Sequence, residues 1–466
     1  MPLIAVSHGP DRLRLEAGTQ YRFTFDMNSC IGCHSCEVAC AEENDLPVEI
    51  AWRRVGVVEN ADPYPDTRRF HLSMACNHCL DPACLTGCPT NAYERLGSGI
   101  VAHHEDDCIG CGYCSWNCPY DVPVMHPTKK IVTKCDMCRS RLEAGGTSAC
   151  VDACPTHAIK IERFDPDEWR ADMTAADAPG LPSAALTLST TRITLPRRSG
   201  ATELRDVDDD TFAPEHAHLP LVWMTVLAQL AAGATVCAAI TGSTGVAATA
   251  TLAWILALAG SLLHLGRPTR AWKAIRNVRS SWLSREIVAF SAAIPCSALL
   301  AVHRTAVVAL VAALVNSAAI VVNAQVYRLA PRPAWDTPLT TVRFLASATR
   351  LGPLVAAAIT HQHRIAWTLA SLSALSTMLV AERANVVRLG RRADRPARAS
   401  VWLWSTRFAR ARIIRSAIML CAIGASFLSP WLGLAFALTS EALGRWLFFV
   451  TVAGTTPAGR WNAAWR

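Results

Sequence analysis

"CIGCHSCEVAC", residues 30–40, sets four cysteines in the pattern C-x2-C-x2-C-x3-C. Thiols this close together hold a metal ion, close disulfides or build an iron–sulfur cluster, and the fold depends on which. Three further groups follow: Cys76, Cys79, Cys84 and Cys88; Cys108, Cys111, Cys114 and Cys118; Cys135, Cys138, Cys150 and Cys154. The first and third groups have the ferredoxin spacing, in which the fourth cysteine ligates the other cluster of a pair. Three thiolates wrap one cubane, with Gly32, Gly110 and Gly112 easing the turns, and the fourth, one turn on, cannot reach the same corner. Pro89, Pro119 and Pro155 directly follow the last cysteine of three groups, whereas the first group has Ala41 there. Zinc sites pair C-x2–4-C with a second, distant pair, a pattern that only the fourth group fits alone. A disulfide framework needs an oxidising compartment, and "MPLIAVSHGPDRLRLEAGTQ" at the start lacks the apolar segment of a secretory signal. Iron–sulfur is the favoured reading, and sixteen thiolates suffice for four cubanes.

The four groups form an internal repeat of ferredoxin-like halves. Between them "TFDMN", "RRFHLSMAC" and "GIVAHHEDDC" alternate apolar and polar residues as strands do, and a short helix is expected over "EVACAEEND". Residues 1–163 are therefore expected to form an α+β domain whose core is largely the clusters. Residues 164–218, rich in Pro, Ala, Asp and Thr, read as an extended linker, with "STTRITLP" as one added strand or an arm.

Charge divides at the same place. Residues 1–218 carry 20 Lys/Arg against 32 Asp/Glu, a net −12, and residues 219–466 carry 25 against 5, a net +20, which together give the overall +8. The basic half does not read as nucleic-acid binding, because its arginines lie between long apolar runs, as charges flanking a membrane do. Residues 219–466 hold eight stretches long enough to cross a bilayer, near 221–240, 246–265, 286–302, 305–326, 345–361, 365–382, 413–429 and 431–451. The fifth is interrupted by Arg343 and Arg350, so that seven spans are the alternative. The arginines concentrate after spans two, four and six, and an even number of spans places the cysteine-rich domain on that same side. The positive-inside rule makes it the cytoplasmic side of the cell's inner membrane.

Few ionisable residues lie at membrane depth, and such residues are functional candidates by default. His264 closes the second span and Glu286 opens the third, on the side of the cluster domain. A quinol giving up two electrons and two protons needs an acceptor for each, and this pair suits the protons. The alternative is a pair that merely satisfies helix ends. Glu441 and Arg445 have the i,i+4 spacing of a structural ion pair. No two histidines lie at matching depth in two spans and no C-x-x-C-H is present, so no haem is expected.

These motifs resemble a known family. "CIGCHSCEVACAEENDLP", "CNHCLDPACLTGCPTNA", "CIGCGYCSWNCPYDVP" and "KCDMC…ACVDACPTHAI" resemble the four-cluster electron-transfer subunit of dimethyl-sulfoxide-reductase-type molybdoenzymes. "LPLVWMTVLAQLAAGA", "HLGRPTRAWKAI", "SWLSREI", "VYRLAPRPAW" and "SEALGRWLFF" resemble the eight-span, haem-free anchor subunit of the same enzymes, fused here to the first. The fold expected is thus an α+β ferredoxin-like four-cluster domain followed by an all-α eight-helix transmembrane anchor. The resemblance implies a crossed pairing of ligands. One [4Fe–4S] cluster falls to Cys30, Cys33, Cys36 and Cys154, and a second to Cys40, Cys135, Cys138 and Cys150. A third falls to Cys76, Cys79, Cys84 and Cys118, and a fourth to Cys88, Cys108, Cys111 and Cys114. It also places the family's quinone-site residues on His264 and Glu286, with Arg267 beside them.

The resemblance implies a protein that does not itself turn over the terminal substrate. It carries the quinone-reactive site and relays electrons between the quinone pool in the membrane lipid and a large molybdopterin-containing catalytic subunit. The arginine-rich loops suggest a cytoplasm-facing, sulfite-dehydrogenase-type complex. The alternatives are a relay from quinol to an S- or N-oxide reductase, and a redox-driven proton-translocating module.

Overall fold

The computed structural model describes residues 18–60, 62–197, 204–361 and 363–455. The expectations that begin at residue 1, cross 198–203 or end at residue 466 lie partly outside these residues. The chain divides after Ala213 into two compact units, the second being Pro214–Ala453.

The first unit is built from small sheets and short helices. In chain order its elements are β1 (Gln20–Asp26), α1 (Ser35–Glu43), β2 (Arg54–Asn60), β3 (Arg69–Met74), α2 (Ala83–Gly87), β4 (Tyr93–Arg95), β5 (Val101–His103), α3 (Tyr113–Asn117), β6 (Val124–Met125), β7 (Val132–Thr133), α4 (Arg139–Glu143), α5 (Ala149–Asp152), β8 (Ile159–Phe164), α6 (Pro166–Ala171), β9 (Arg192–Thr194) and β10 (Leu204–Asp206). β1 lies between antiparallel β8 and parallel β9, and β2 between antiparallel β3 and β10, while β4–β5 and β6–β7 are hairpins. Tyr21, Phe23 and Phe25 of β1 and Ile159 and Ile161 of β8 point into a core that also holds Cys36, Cys135, Cys150 and Cys154.

The segment expected as a linker is folded. β9 falls within "STTRITLP" and extends one sheet, β10 extends the other, and α6 is capped by the Asp165 carboxylate accepting from the N–H groups of Asp167 and Glu168. Trp169 of α6 is buried, donates to the Ser189 carbonyl at 2.8 Å and carries the Arg22 guanidinium 4.3 Å above its ring. Short strands and a single aromatic anchor leave no periodic signal, which is why the composition read as a tether.

The second unit is all helical: α7 (Leu219–Thr241), α8 (Thr244–Leu262), α9 (Trp282–Val302), α10 (Ala306–Val326), α11 (Pro338–Thr360), α12 (Arg364–Gly390), the short α13 (Arg395–Trp402), α14 (Ala409–Leu428) and α15 (Pro430–Val450). All but α13 are long and apolar enough to cross a membrane, eight spans in all among the described residues. α7 and α11 form the centre, with 83% and 72% of their apolar windows buried against 28% for the peripheral α9, α10 and α14. They meet at glycines: a Cβ on Gly233 of α7 would lie 2.0 Å from the Ala348 carbonyl oxygen of α11, and one on Gly352 would lie 2.3 Å from the Gly233 carbonyl carbon. Close backbone approach of this kind is how helices associate where lipid leaves no hydrophobic drive between them.

The fifth span starts at Pro338, earlier than its apolar run, and includes both arginines that interrupted the pattern. Each has a buried carboxylate from another helix. Arg343 donates to Glu382 of α12 at 3.0 Å, and Arg350 to Glu441 of α15 at 2.5 Å. Arg415 of α14 takes the second oxygen of Glu382 at 2.8 Å. Arg445 is thus not the hydrogen-bonded partner of Glu441. It donates to Gln229 of α7 at 2.9 Å and stacks over Phe344 at 3.9 Å.

Candidate functional site: a thiol relay and a membrane carboxylate

The backbone bends the same way in the first C-x-x-C turn of each group. The residue before the second cysteine is left-handed in all four: Gly32 (φ 67), His78 (φ 43), Gly110 (φ 67) and Met137 (φ 65). Glycine reaches this conformation without steric cost, while His78 and Met137, each 1% exposed, are held in it by packing.

These turns bring together thiols from different groups of the sequence. The thiols acting on the charge of Cys30 are Cys36, Cys154 and Cys33. Burial pushes the Cys40 thiol up to about 12, with Arg53 opposing and Cys150 and Cys138 adding to the rise. Cys135 has Cys40 and Cys150 among its neighbours. Cys118 faces Cys84 and Cys76, and Cys79 faces Cys76 and Cys118. Cys114 faces Cys111, Cys108 and Cys88. Thiols from distant groups of the sequence are thus neighbours. Neighbours also run between the sets expected from the resemblance, Cys36 with Cys150 and Cys135 with Cys76, and Cys84 shares one core with Cys88, Cys108 and Cys114. The sets therefore follow one another through the domain.

Among the described residues no three His, Cys, Asp or Glu side chains converge tightly enough to share a single ion. Cys76, Cys79, Cys84 and Cys118 instead line one small pocket, and Lys134 also lines it. Four soft donors around one pocket are the donor set that a cluster takes, one thiolate at each of four iron corners. Backbone N–H groups aim at sulfur as well: Gly110 at Cys108 and Met137 at Cys135, each at 3.4 Å, and Ala92 at Cys88 at 3.3 Å. Such bonds stabilise a thiolate.

Two buried cations among these thiols have no signature in sequence. Arg53, 2% exposed, precedes β2, donates from Nη1 to Ser73 Oγ at 3.1 Å and lies over the Phe23 ring at 4.7 Å. Its Nε and Nη2 have no hydrogen-bond partner among the described residues. Lys134, 3% exposed, donates from Nζ to the carbonyls of Val101 and Cys135.

In the second unit, Glu286 lies one turn into α9 and is 4% exposed, and its carboxylate accepts from Asn323 Nδ2 of α10. His264 follows the end of α8 and packs edge-on against His218 with ring centroids 5.3 Å apart. Each of the two candidates has its own neighbour, Asn323 for Glu286 and His218 for His264. His218 itself was not singled out by sequence, because it precedes the first span. Burial, then the positive neighbours His264, His216 and Arg332, hold its ring far below the usual histidine range and therefore neutral. Arg332 in turn pairs with Glu215 at 3.4 Å. Arg267, partly buried, is the residue that leads into the turn Pro268–Ile275.

Comparison with known proteins divides the sequence at the same boundary. Residues 67–163 match the model of the 4Fe-4S dicluster domain, and residues 215–449 match that of the DMSO reductase anchor subunit (DmsC). Over 176 residues the sequence is 40% identical to the B subunit of the anaerobic dimethyl sulfoxide reductase of Escherichia coli, a match spanning 36% of this protein and 85% of that one. The corresponding B subunit of Haemophilus influenzae is 39% identical over the same length, with the same shares covered. Protein NrfC of Escherichia coli is 39% identical over 150 residues, 32% of this protein and 67% of that one.

Proposed function

Because this protein belongs to the DMSO reductase anchor-subunit family, with an iron–sulfur domain related to the B subunits of such reductases joined ahead of the anchor, we propose that it carries electrons from a membrane quinol to a molybdopterin-containing catalytic subunit. The support is the gathering of thiols from distant groups of the sequence beside one another, on the same chain as a buried carboxylate that has one amide partner and no bonded cation among the described residues. The B subunits described above are named as parts of reductases, which favours flow from quinol toward an S- or N-oxide substrate. They lend no support to a sulfite-dehydrogenase role.

Four [4Fe–4S] clusters, when bound, supply one-electron transfer between the quinone side and the partner. They would be held by the sets Cys30, Cys33, Cys36 and Cys154; Cys40, Cys135, Cys138 and Cys150; Cys76, Cys79, Cys84 and Cys118; and Cys88, Cys108, Cys111 and Cys114. The chain's own residues do the rest. Glu286 offers an oxygen to a quinol proton, and Asn323 fixes the orientation of that carboxylate. His264, packed edge-on against the neutral His218, offers a ring nitrogen for the other proton. Arg267 lies three residues past His264, where it can orient the quinone headgroup.

The test is an anaerobic purification from native membranes with partner identification and iron analysis on one sample. A co-purifying molybdopterin subunit and about sixteen irons per chain, four for each of four cubanes, are expected. An iron-loaded chain with only other membrane subunits would favour the proton-translocating reading instead. Glu286→Gln keeps a partner for Asn323 but cannot take a proton. It is expected to slow quinol oxidation about 10²-fold or more while dithionite still reduces the iron sites.

A further inference from the structure

Two fully buried cations stand where successive thiol sets meet. Arg53 reaches the first set through Ser73, whose hydroxyl lies 3.1 Å from Arg53 Nη1 and 3.4 Å from Cys36 Sγ. The thiols acting most strongly on it are Cys150, Cys36, Cys135 and Cys40, which belong to the first and second sets. Lys134 lines the cavity of the third set and donates at 3.0 Å to the carbonyl of Cys135, a member of the second. Its nearest thiols are Cys76, Cys84 and Cys135. Among the described residues no carboxylate is hydrogen-bonded to either cation. Asp136 faces the second junction from the loop of Lys134, and its carboxylate caps the Cys138 N–H at 2.9 Å.

An isolated buried cation is costly, and so is a buried N–H without an acceptor. Arg53 carries both burdens, with Nε and Nη2 unbonded in a pocket walled by thiols. These donors lack only an acceptor, and the side chain needs an anion. A thiolate-ligated iron–sulfur site supplies both, since its sulfurs accept N–H bonds and its net charge is negative.

We propose that Arg53 and Lys134 are resident tuning charges of the relay, Arg53 serving the first and second clusters and Lys134 the second and third, each raising the reduction potential of the two sites it stands between. This rests on the four-set ligand assignment given above. One electron arriving from the neighbouring centre adds one negative charge to a site and takes up no proton. A fixed positive charge alongside favours that reduced state, as charge and hydrogen bonds at sulfur do generally. The second site, bordered by both cations, is the most strongly favoured. Cys88, Cys108, Cys111 and Cys114 are not among the nearest thiols of either cation, so the fourth site serves as an internal control.

The experiment is a potentiometric titration of the membrane-bound complex followed by EPR, on the parent protein and on Arg53→Gln and Lys134→Gln. Arg53→Gln should lower two of the four midpoints by at least tenfold in the reduction equilibrium, or 59 mV for one electron, and leave the fourth-site signal in place. Lys134→Gln should lower two, one of them shared with the first variant. Iron-replete variants with unmoved midpoints, or with all four moved alike, overturn the proposal. If Arg53→Gln loses iron, Arg53→Lys decides: retained iron with parent-like midpoints shows that charge is what the site needs, and equal loss shows that it is not. Fewer than four cluster signals in the parent protein would instead sink the ligand assignment itself, before any variant is compared.

Discussion

Arg350 and Glu441 each lie at membrane depth and are almost fully enclosed, at 2% and 3% side-chain exposure. Ser347 also donates to Glu441, at 2.9 Å. Removing one partner of a buried pair leaves the other charge uncompensated, which costs about 3–5 kcal/mol. Arg350→Met should therefore lower the thermal midpoint of the detergent-solubilised protein sharply, and an unchanged midpoint would show that the pair is not what stabilises this crossing. Outside the membrane, His103 makes a pH-dependent contribution. Burial, then Lys134 and His104, push its ring down to about 3 from an ordinary 6.5. Below pH 6.5 the unfolded chain takes up a proton that the folded one refuses, so stability falls as the pH drops from 6.5 toward 3, at up to about 1.4 kcal/mol per unit. His103→Gln should lose less of its thermal midpoint than the parent between pH 7 and pH 5, and equal losses would assign the acid sensitivity elsewhere. The iron–sulfur character of the first unit was legible because its cysteines lie close together in sequence in repeated groups. The partners of Arg53, Arg343 and Arg350 were not, since Cys150, Glu382 and Glu441 lie 39 to 97 positions away and nothing local announces them.

Among the elements, the crossing of α7 with α11 depends most on a single atom. The Cβ of an alanine at 233 would sit 2.0 Å from a main-chain oxygen that cannot retreat without shifting its helix. Gly233→Ala should lower the melting midpoint and the amount of folded protein in membranes. Gly424→Ala in α14, where nothing lies within 4 Å, should leave both unchanged. Matching behaviour of the two variants would rule out close approach as the reason for glycine at 233. Spans were legible as apolar runs, yet their ends were not. α12 continues to Gly390, eight residues past its apolar stretch, because Glu382 and Asn385 are paired inside the unit, with Arg343 and the Ala334 carbonyl. The segment between α12 and α14 contains α13, whose buried Ala397 and Ala399 are too few for a periodic signal.

On the scale of the whole molecule, the division of charge and cysteine along the sequence foretold the two units, while their boundary, after Ala213, fell just short of the expected end of the linker. Strands of three residues carry too little pattern to be read, and they draw the segment between Phe164 and Asp206 into the first unit. The sidedness inferred from arginine distribution predicts the labelling of single cysteines in a background lacking Cys237, Cys296 and Cys421. A cysteine at position 393, between α12 and α13, should react only with reagents that enter the cytoplasm. One at position 243, between α7 and α8, should react from the opposite side. The reverse pattern would turn the cluster domain outward.

One core of the first unit consists of Cys84, Cys88, Ala92, Tyr93, Val101, Cys108, Cys114, Ile131 and Val132, so four of its nine buried residues are cysteines. The hairpins beside it have strands of only two or three residues. Little there can hold together by oily contact alone, and metal binding and folding become one event. The abundance of this protein should then follow the iron nutrition of the cell. Newly made copies that go unfilled should then present loosened segments to proteases.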